Sequence, residues 1–137
     1  MIMFFKFLKF ATLGIATEVI FTAFTENINR FKKGEKWDWS LTGFTYVWMI
    51  PIYGLIAFLG PYVIEPIQSY NIFLRLFSYA LLILLVEYIT GFILRKMTGR
   101  CPWHYSTGWH VHNLIRLDYI PLWMGFSFIV EYLYFNY

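Results

Sequence analysis

Apolar residues run along this chain in four long blocks, at residues 7–26, 43–64, 72–94 and 117–135. Each block holds roughly 19–23 residues, enough at about 1.5 Å per residue to cover a hydrocarbon core of about 30 Å. Helices are the form such blocks take in lipid, because an open strand edge finds no hydrogen-bond partner there. The pattern predicts an all-α, polytopic membrane protein, with four transmembrane helices in one transmembrane domain over residues 1–137. The second block carries Pro51 and Pro61, and the fourth carries Pro121 in its first turn, where proline is tolerated.

The polar stretches between the blocks orient the chain. Residues 27–42 hold Arg30, Lys32, Lys33 and Lys36, and residues 95–116 hold Arg95, Lys96, Arg100 and Arg116. Lys6, Lys9 and Arg75 are the remaining basic residues. The excess of Lys and Arg marks the cytoplasmic side. Loops 27–42 and 95–116 are therefore expected in the cytoplasm and both termini outside, in the plasma membrane, although Lys6 and Lys9 pull the other way. The apolar N-terminus reads as the start of the first helix and not as a signal peptide. The run behind it carries Glu18 and no clear small-residue cleavage site.

Composition supports the same class. Of 137 residues, 59% are apolar and only 14% are charged, against about 25% in an ordinary soluble domain. That excludes a disordered tail and argues against a soluble globule. The net charge of +3 follows the two loops, so no nucleic-acid partner is expected. Cys101 is the single cysteine, so no intrachain disulfide can form.

The two halves resemble each other. Glu18-Val-Ile-Phe-Thr-Ala-Phe24 corresponds to Glu87-Tyr-Ile-Thr-Gly-Phe92, and Trp37-Asp-Trp-Ser-Leu-Thr-Gly43 to Trp103-His-Tyr-Ser-Thr-Gly108. Ile50-Pro-Ile-Tyr-Gly54 then corresponds to Ile120-Pro-Leu-Trp-Met-Gly125. The order predicts two similar helix pairs, a parallel internal repeat about an axis along the membrane normal. Chance likeness between aromatic-rich sequences is the plainer alternative.

Glu18, Glu87 and Glu131 lie within the apolar blocks. A carboxylate at the bilayer centre costs on the order of 2.5–3.5 kcal/mol even on insertion scales, so such groups turn into the protein and pair. Ala11, Gly14, Glu18, Thr22 and Thr25 share one helix face. The expectation is an interior polar cluster of the three carboxylates, suited to proton coupling or cation binding. A purely structural role, each Glu tying helices together through hydroxyl partners, stands beside it.

The segment Gly99-Arg-Cys-Pro-Trp-His-Tyr-Ser-Thr-Gly-Trp-His-Val-His-Asn113 is the most distinctive of the chain. With Arg95, Trp103, His104, Tyr105, Arg116 and Asp118 it forms the expected cytoplasmic mouth of the polar interior. Arg116 and Asp118, two apart, cannot share a helix face, so Arg116 is expected to reach another carboxylate. Cys101, His104, His110 and His112 have the ligand types of a zinc site, but their spacing matches no zinc motif, so no metal or cofactor is expected. The chain has no phosphate-binding glycine loop, no Gly-x-Ser-x-Gly elbow and no paired-histidine protease motif.

These residues carry a resemblance. Glu18-Val-Ile-Phe-Thr-Ala, Val47-Trp48, Ile52-Tyr53-Gly54, Ile64-Glu65, Glu87, Thr90-Gly-Phe-Ile-Leu-Arg95, Cys101-Pro-Trp, Tyr105-Ser106, Leu114-Ile115, Tyr119, Pro121, Trp123 and Glu131 resemble the transmembrane protein 229 family. They equally resemble the related bacterial proteins described as putative ABC-transporter type IV permeases. His104 stands where that family is expected to carry Asp. The resemblance implies a small multi-pass protein of the transport type, with a homo-oligomer or partner membrane protein completing the pathway and any energising ATPase a separate subunit. Two other readings remain: a membrane enzyme acting on lipid headgroups, with Glu87, His104, His110 and Asp118 in acid–base roles, and a non-catalytic scaffold.

Overall fold

Helix α1, Ile2–Lys32, runs through Glu18 without a break and spans about 46 Å at about 1.5 Å per residue. In this computed structural model, which describes residues 1–136, α1 is the backbone of the first of two compact units, residues 1–58 and 59–137. After α1 the chain does not enter a second helix at once. Residues 35–48 are largely irregular and lie back along α1, held by side chains of the helix. Arg30 binds Glu35 at 2.8 Å and Asp38 at 3.3 Å. Further along, the Asp38 N–H donates to Asn27 Oδ1 at 3.0 Å. The Thr22 hydroxyl accepts from the Phe44 N–H at 2.9 Å and donates toward the Phe44 carbonyl at 3.0 Å.

Two short helices follow, α2 (Met49–Gly54) and α3 (Ile56–Val63), with the unit boundary inside α3. The second apolar block therefore becomes helical only at Met49, because residues 43–45 are tethered to α1. Pro51 sits in the first turn of α2, where its missing N–H costs no bond. Helices α1 and α2 meet through aromatic rings laid on glycines. A Cβ at Gly14 would lie within 2.5 Å of ring carbons of Tyr53, and one at Gly54 within 2.6 Å of the Phe7 ring edge. Only glycine at both points permits this approach.

The second unit is built on α4, Ile72–Thr98. Asn71 caps it, its side chain accepting from the Phe73 N–H at 2.8 Å, and Gly99 ends it in the left-handed region at φ 81°. Before α4 lies a 3-10 turn, Glu65–Ile67. After it the chain folds back onto the helix and forms a small antiparallel hairpin, β1 (His110–Val111) and β2 (Ile115–Arg116), with His110 opposite Arg116. His112 and Asn113, at φ 50° and 61°, make its tight turn, the left-handed pair such hairpins favour. A 3-10 turn, Leu117–Tyr119, leads into α5, Ile120–Asn136, which packs on α4. The fold is thus mostly helical, and this hairpin is an element that the hydrophobic pattern did not announce. Leu84, Leu114 and Ile115 form the packed centre where the folded-back loop meets α4.

Two of the four predicted spans, α1 and α4, are long and apolar enough to cross a membrane. Only 22% of the most apolar stretch of each is buried. Leu74, Leu81, Leu85, Ile89 and Phe92 of α4 all point outward. A soluble core helix would hide these side chains; a bilayer accepts them. The helical segments at the second and fourth blocks are shorter. Met49–Val63 covers about 22 Å and Ile120–Asn136 about 25 Å at about 1.5 Å per residue.

Candidate functional site

The three carboxylates of the apolar blocks are each engaged by a different neighbour. In the first unit Glu18, half-buried on the mid-section of α1, accepts a hydrogen bond from the Thr45 hydroxyl. Thr45 is brought there by the same fold-back that seats Phe44 on Thr22. Ala11 and Gly14, on the same face, are buried.

In the second unit Glu87 is 8% exposed and accepts from the Tyr105 hydroxyl at 2.7 Å. A network positions Tyr105. Its N–H donates to the Asn113 carbonyl at 3.0 Å, and the Asn113 amide returns a 2.7 Å bond to its carbonyl. The hairpin is pinned to α4 from its turn as well. Arg95 donates to the His112 carbonyl at 2.7 Å, and Tyr88 and His112 Nδ1 share a 2.7 Å hydrogen bond whose direction follows the histidine tautomer. Trp103 is buried, and its indole N–H donates to the Leu114 carbonyl at 3.0 Å.

Glu131 lies elsewhere in this unit. It receives both arms of the Arg75 guanidinium, Nη2 at 2.7 Å and Nε at 3.3 Å. Arg75 also donates to the Tyr70 carbonyl at 2.8 Å. Nearby, the Tyr134 hydroxyl donates to Glu65 at 2.6 Å, and Tyr79, buried on α4, adjoins Glu131. Arg75 and Glu87 are separated by roughly 18 Å along α4 at about 1.5 Å per residue. Within this unit the carboxylates occupy two poles, one at the folded-back loop and one at the N-terminal end of α4, in place of one shared cluster. Sequence reasoning missed Arg75, Glu65 and Tyr134 as partners. The signal for Arg75 was present, since an arginine inside an apolar run requires an acceptor.

The mouth residues differ from expectation at one pair. Arg116 binds Asp118 directly, through Nη2 and through Nε at 3.1 Å. The exclusion on helical spacing failed because Arg116 is extended in β2 and Asp118 lies in a 3-10 turn, so no α-helical face applies. The Arg116 guanidinium lies 4.2 Å from the centre of the Tyr119 ring and donates to its hydroxyl at 2.9 Å. The Trp109 N–H also donates to the Asp118 carboxylate, at 3.2 Å. His104 is exposed.

The residues weighed as zinc ligands do not converge. Cys101 packs toward Gly91, where burial pushes its thiol up, and His112 is turned to Tyr88. Among the described residues no three His, Cys, Asp or Glu side chains gather as a metal centre requires.

Chemically, the arrangement offers carboxylates inside apolar helices whose partners are hydroxyl groups from folded-back loops, and one carboxylate paired with arginine. Residues 5–137 match the protein family described as putative ABC-transporter type IV. No solved structure matches the chain.

Proposed function

Because the chain belongs to the family described as putative ABC-transporter type IV, we propose that it is the membrane-embedded permease component of a transporter. In this reading a separate ATPase subunit energises it, and a second copy or another membrane chain completes the pathway. The observation that carries the reading is the Glu87–Tyr105 pair: a buried carboxylate on an apolar helix, held by a hydroxyl on a folded-back loop. A hydroxyl partner holds a carboxyl group in either protonation state, because a protonated carboxyl can donate in turn. Glu18 and Thr45 repeat the chemistry in the first unit. The function would then lie in interior carboxylates Glu18, Glu87 and Glu131, with Arg95, Trp103, His104, Tyr105, Arg116 and Asp118 at the cytoplasmic mouth.

Four crossings of the plasma membrane, with loops 27–42 and 95–116 inside and both termini outside, complete the proposal. Its support is the length of the shorter segments. Met49–Val63 runs on into the turn Glu65–Ile67, and Ile120–Asn136 is preceded by Leu117–Tyr119, so each extends to within a few ångströms of the hydrocarbon thickness. The likeness of the halves, and a fold-back onto a mid-helix glutamate in both units, favours the two-pair repeat.

The test is ATP hydrolysis by the complex purified from native membranes through this chain and placed in lipid nanodiscs. Vanadate-sensitive hydrolysis by a stoichiometric partner is expected, and Glu87→Gln should retain the partner while losing at least tenfold of the coupled hydrolysis. No stoichiometric ATPase, or full hydrolysis in that variant, would refute the permease reading. The second reading, a scaffold, is favoured by the engagement of Glu18, Glu87 and Glu131 each with a neighbour. It predicts that Glu18→Gln and Glu87→Gln change thermal stability alone.

A further inference from the structure

The interface between α4 and α5 contains two buried polar atoms that have no hydrogen-bond partner among the described residues, Ser127 Oγ and Trp123 Nε1. Ser127 is 3% exposed. Such groups are costly when left unpaired, and buried water is the usual remedy where the site is polar. Their positions are not scattered. Trp123, Ser127 and Glu131 follow at intervals of four and lie on one face of α5. Arg75 meets Glu131 at one end of the helix pair, and Tyr119 lies within electrostatic reach of Glu87 at the other. That antiparallel register carries Ser127 to the level of Tyr79 and Trp123 to the level of Leu84, against which it packs.

We propose that Trp123 Nε1 and Ser127 Oγ hold internal water molecules, and that these complete a hydrogen-bonded proton relay from Glu87 and Tyr119 at one pole to Glu131 and Arg75 at the other. The spacing fits. Tyr119 and Ser127 are eight residues apart, about 12 Å of helix rise, which about four hydrogen bonds of about 2.8 Å through three waters span, with Trp123 anchoring the middle one. Ser127 and Glu131 are about 6 Å apart, which one water spans. The roles differ by chemistry. An indole N–H only donates, so Trp123 anchors a water and passes no proton itself. A serine hydroxyl accepts a proton on oxygen and releases its own on the far side, so Ser127 is a conducting link. Each hop forms one O–H bond and breaks another, and nothing is oxidised or reduced. The relay stands apart from any coupling to an ATPase, so it and the permease reading can fail separately.

The full chain, reconstituted in liposomes containing a trapped pH-sensitive dye, tests it. With the potential clamped by potassium and valinomycin, an imposed proton gradient should collapse at least tenfold faster than in empty liposomes. Ser127→Ala should remove that excess, and Ser127→Thr, which keeps the hydroxyl, should retain it. In nanodiscs, the Trp123 indole proton, identified by its loss in Trp123→Phe, should show direct magnetisation exchange with water in the wild-type protein. Wild-type flux equal to that of empty liposomes, full flux in Ser127→Ala, or an indole proton without water exchange would each overturn the relay. The water-exchange measurement needs no variant at Ser127, so it decides even if that substitution unfolds the protein.

Discussion

Replacing Gly14 by alanine sets two effects of known size against each other. A methyl group in place of hydrogen in a helix interior gains about 1 kcal/mol of helix propensity. At Gly14 the new carbon would lie within 2.5 Å of the Tyr53 ring, where carbon pairs settle at about 3.5–4.0 Å. The ring must retreat by an ångström or more, and Tyr53 is itself buried, so it has nowhere free to go. Overpacking of this kind costs about 1–3 kcal/mol, and more where backbone must move. The clash should offset the propensity gain and leave Gly14→Ala destabilised by up to about 2 kcal/mol. Gly125 supplies the control. It lies within α5, and a Cβ there meets nothing within 4 Å, so Gly125→Ala should stabilise by up to about 1 kcal/mol. The assay is reversible unfolding of both variants in mixed micelles, with Gly14→Ala/Tyr53→Ala closing a cycle. The pair should show a coupling of at least about 1 kcal/mol. Equal shifts in the two single variants, or additive behaviour in the cycle, would refute the ring-on-glycine packing.

Tyr105→Phe removes the Glu87 donor and should loosen the folded-back loop by about 1.5–3 kcal/mol, the range for hydrogen bonds to charged groups. Faster backbone hydrogen exchange at Trp103 and Asn113 would report it, and unchanged protection would count against the pairing. Asp118→Ala removes both the partner of the Arg116 guanidinium and the acceptor of the Trp109 N–H, so Trp109 fluorescence should shift in that variant, and an unchanged spectrum would count against the contact. Cys101, its thiol raised by burial, should react with iodoacetamide at pH 7.5 at least tenfold more slowly than a free cysteine, measured by mass spectrometry.

The long helices were legible because their information is local. Ile72–Thr98 is a run of apolar side chains opened by Asn71 and closed by Gly99, and nothing distant is needed to place it. What the pattern could not carry was attachment. Thr45 and Phe44 sit in an apolar block and read as helix, yet tethers to Glu18 and Thr22 hold them irregular, and hydropathy does not encode such bonds. The same holds for Arg75 and Glu131, whose bond joins positions far apart in the chain. Residues of the mouth were found by type, but Tyr105 and Glu87 were assigned to different places when they are one pair. Arg116 and Asp118 were separated by a rule that holds only for α-helix.

Phe7 rests on Gly54, so the contact that closes the first unit joins residues near its two ends. Nothing there can form until the ribosome has passed Gly54. At about 5–20 residues per second, the nascent helix waits roughly 2–9 s after Phe7 is made before its partner exists. Throughout that interval it must survive alone, and a 31-residue apolar rod with every internal amide already satisfied can do so where a 15-residue one could not.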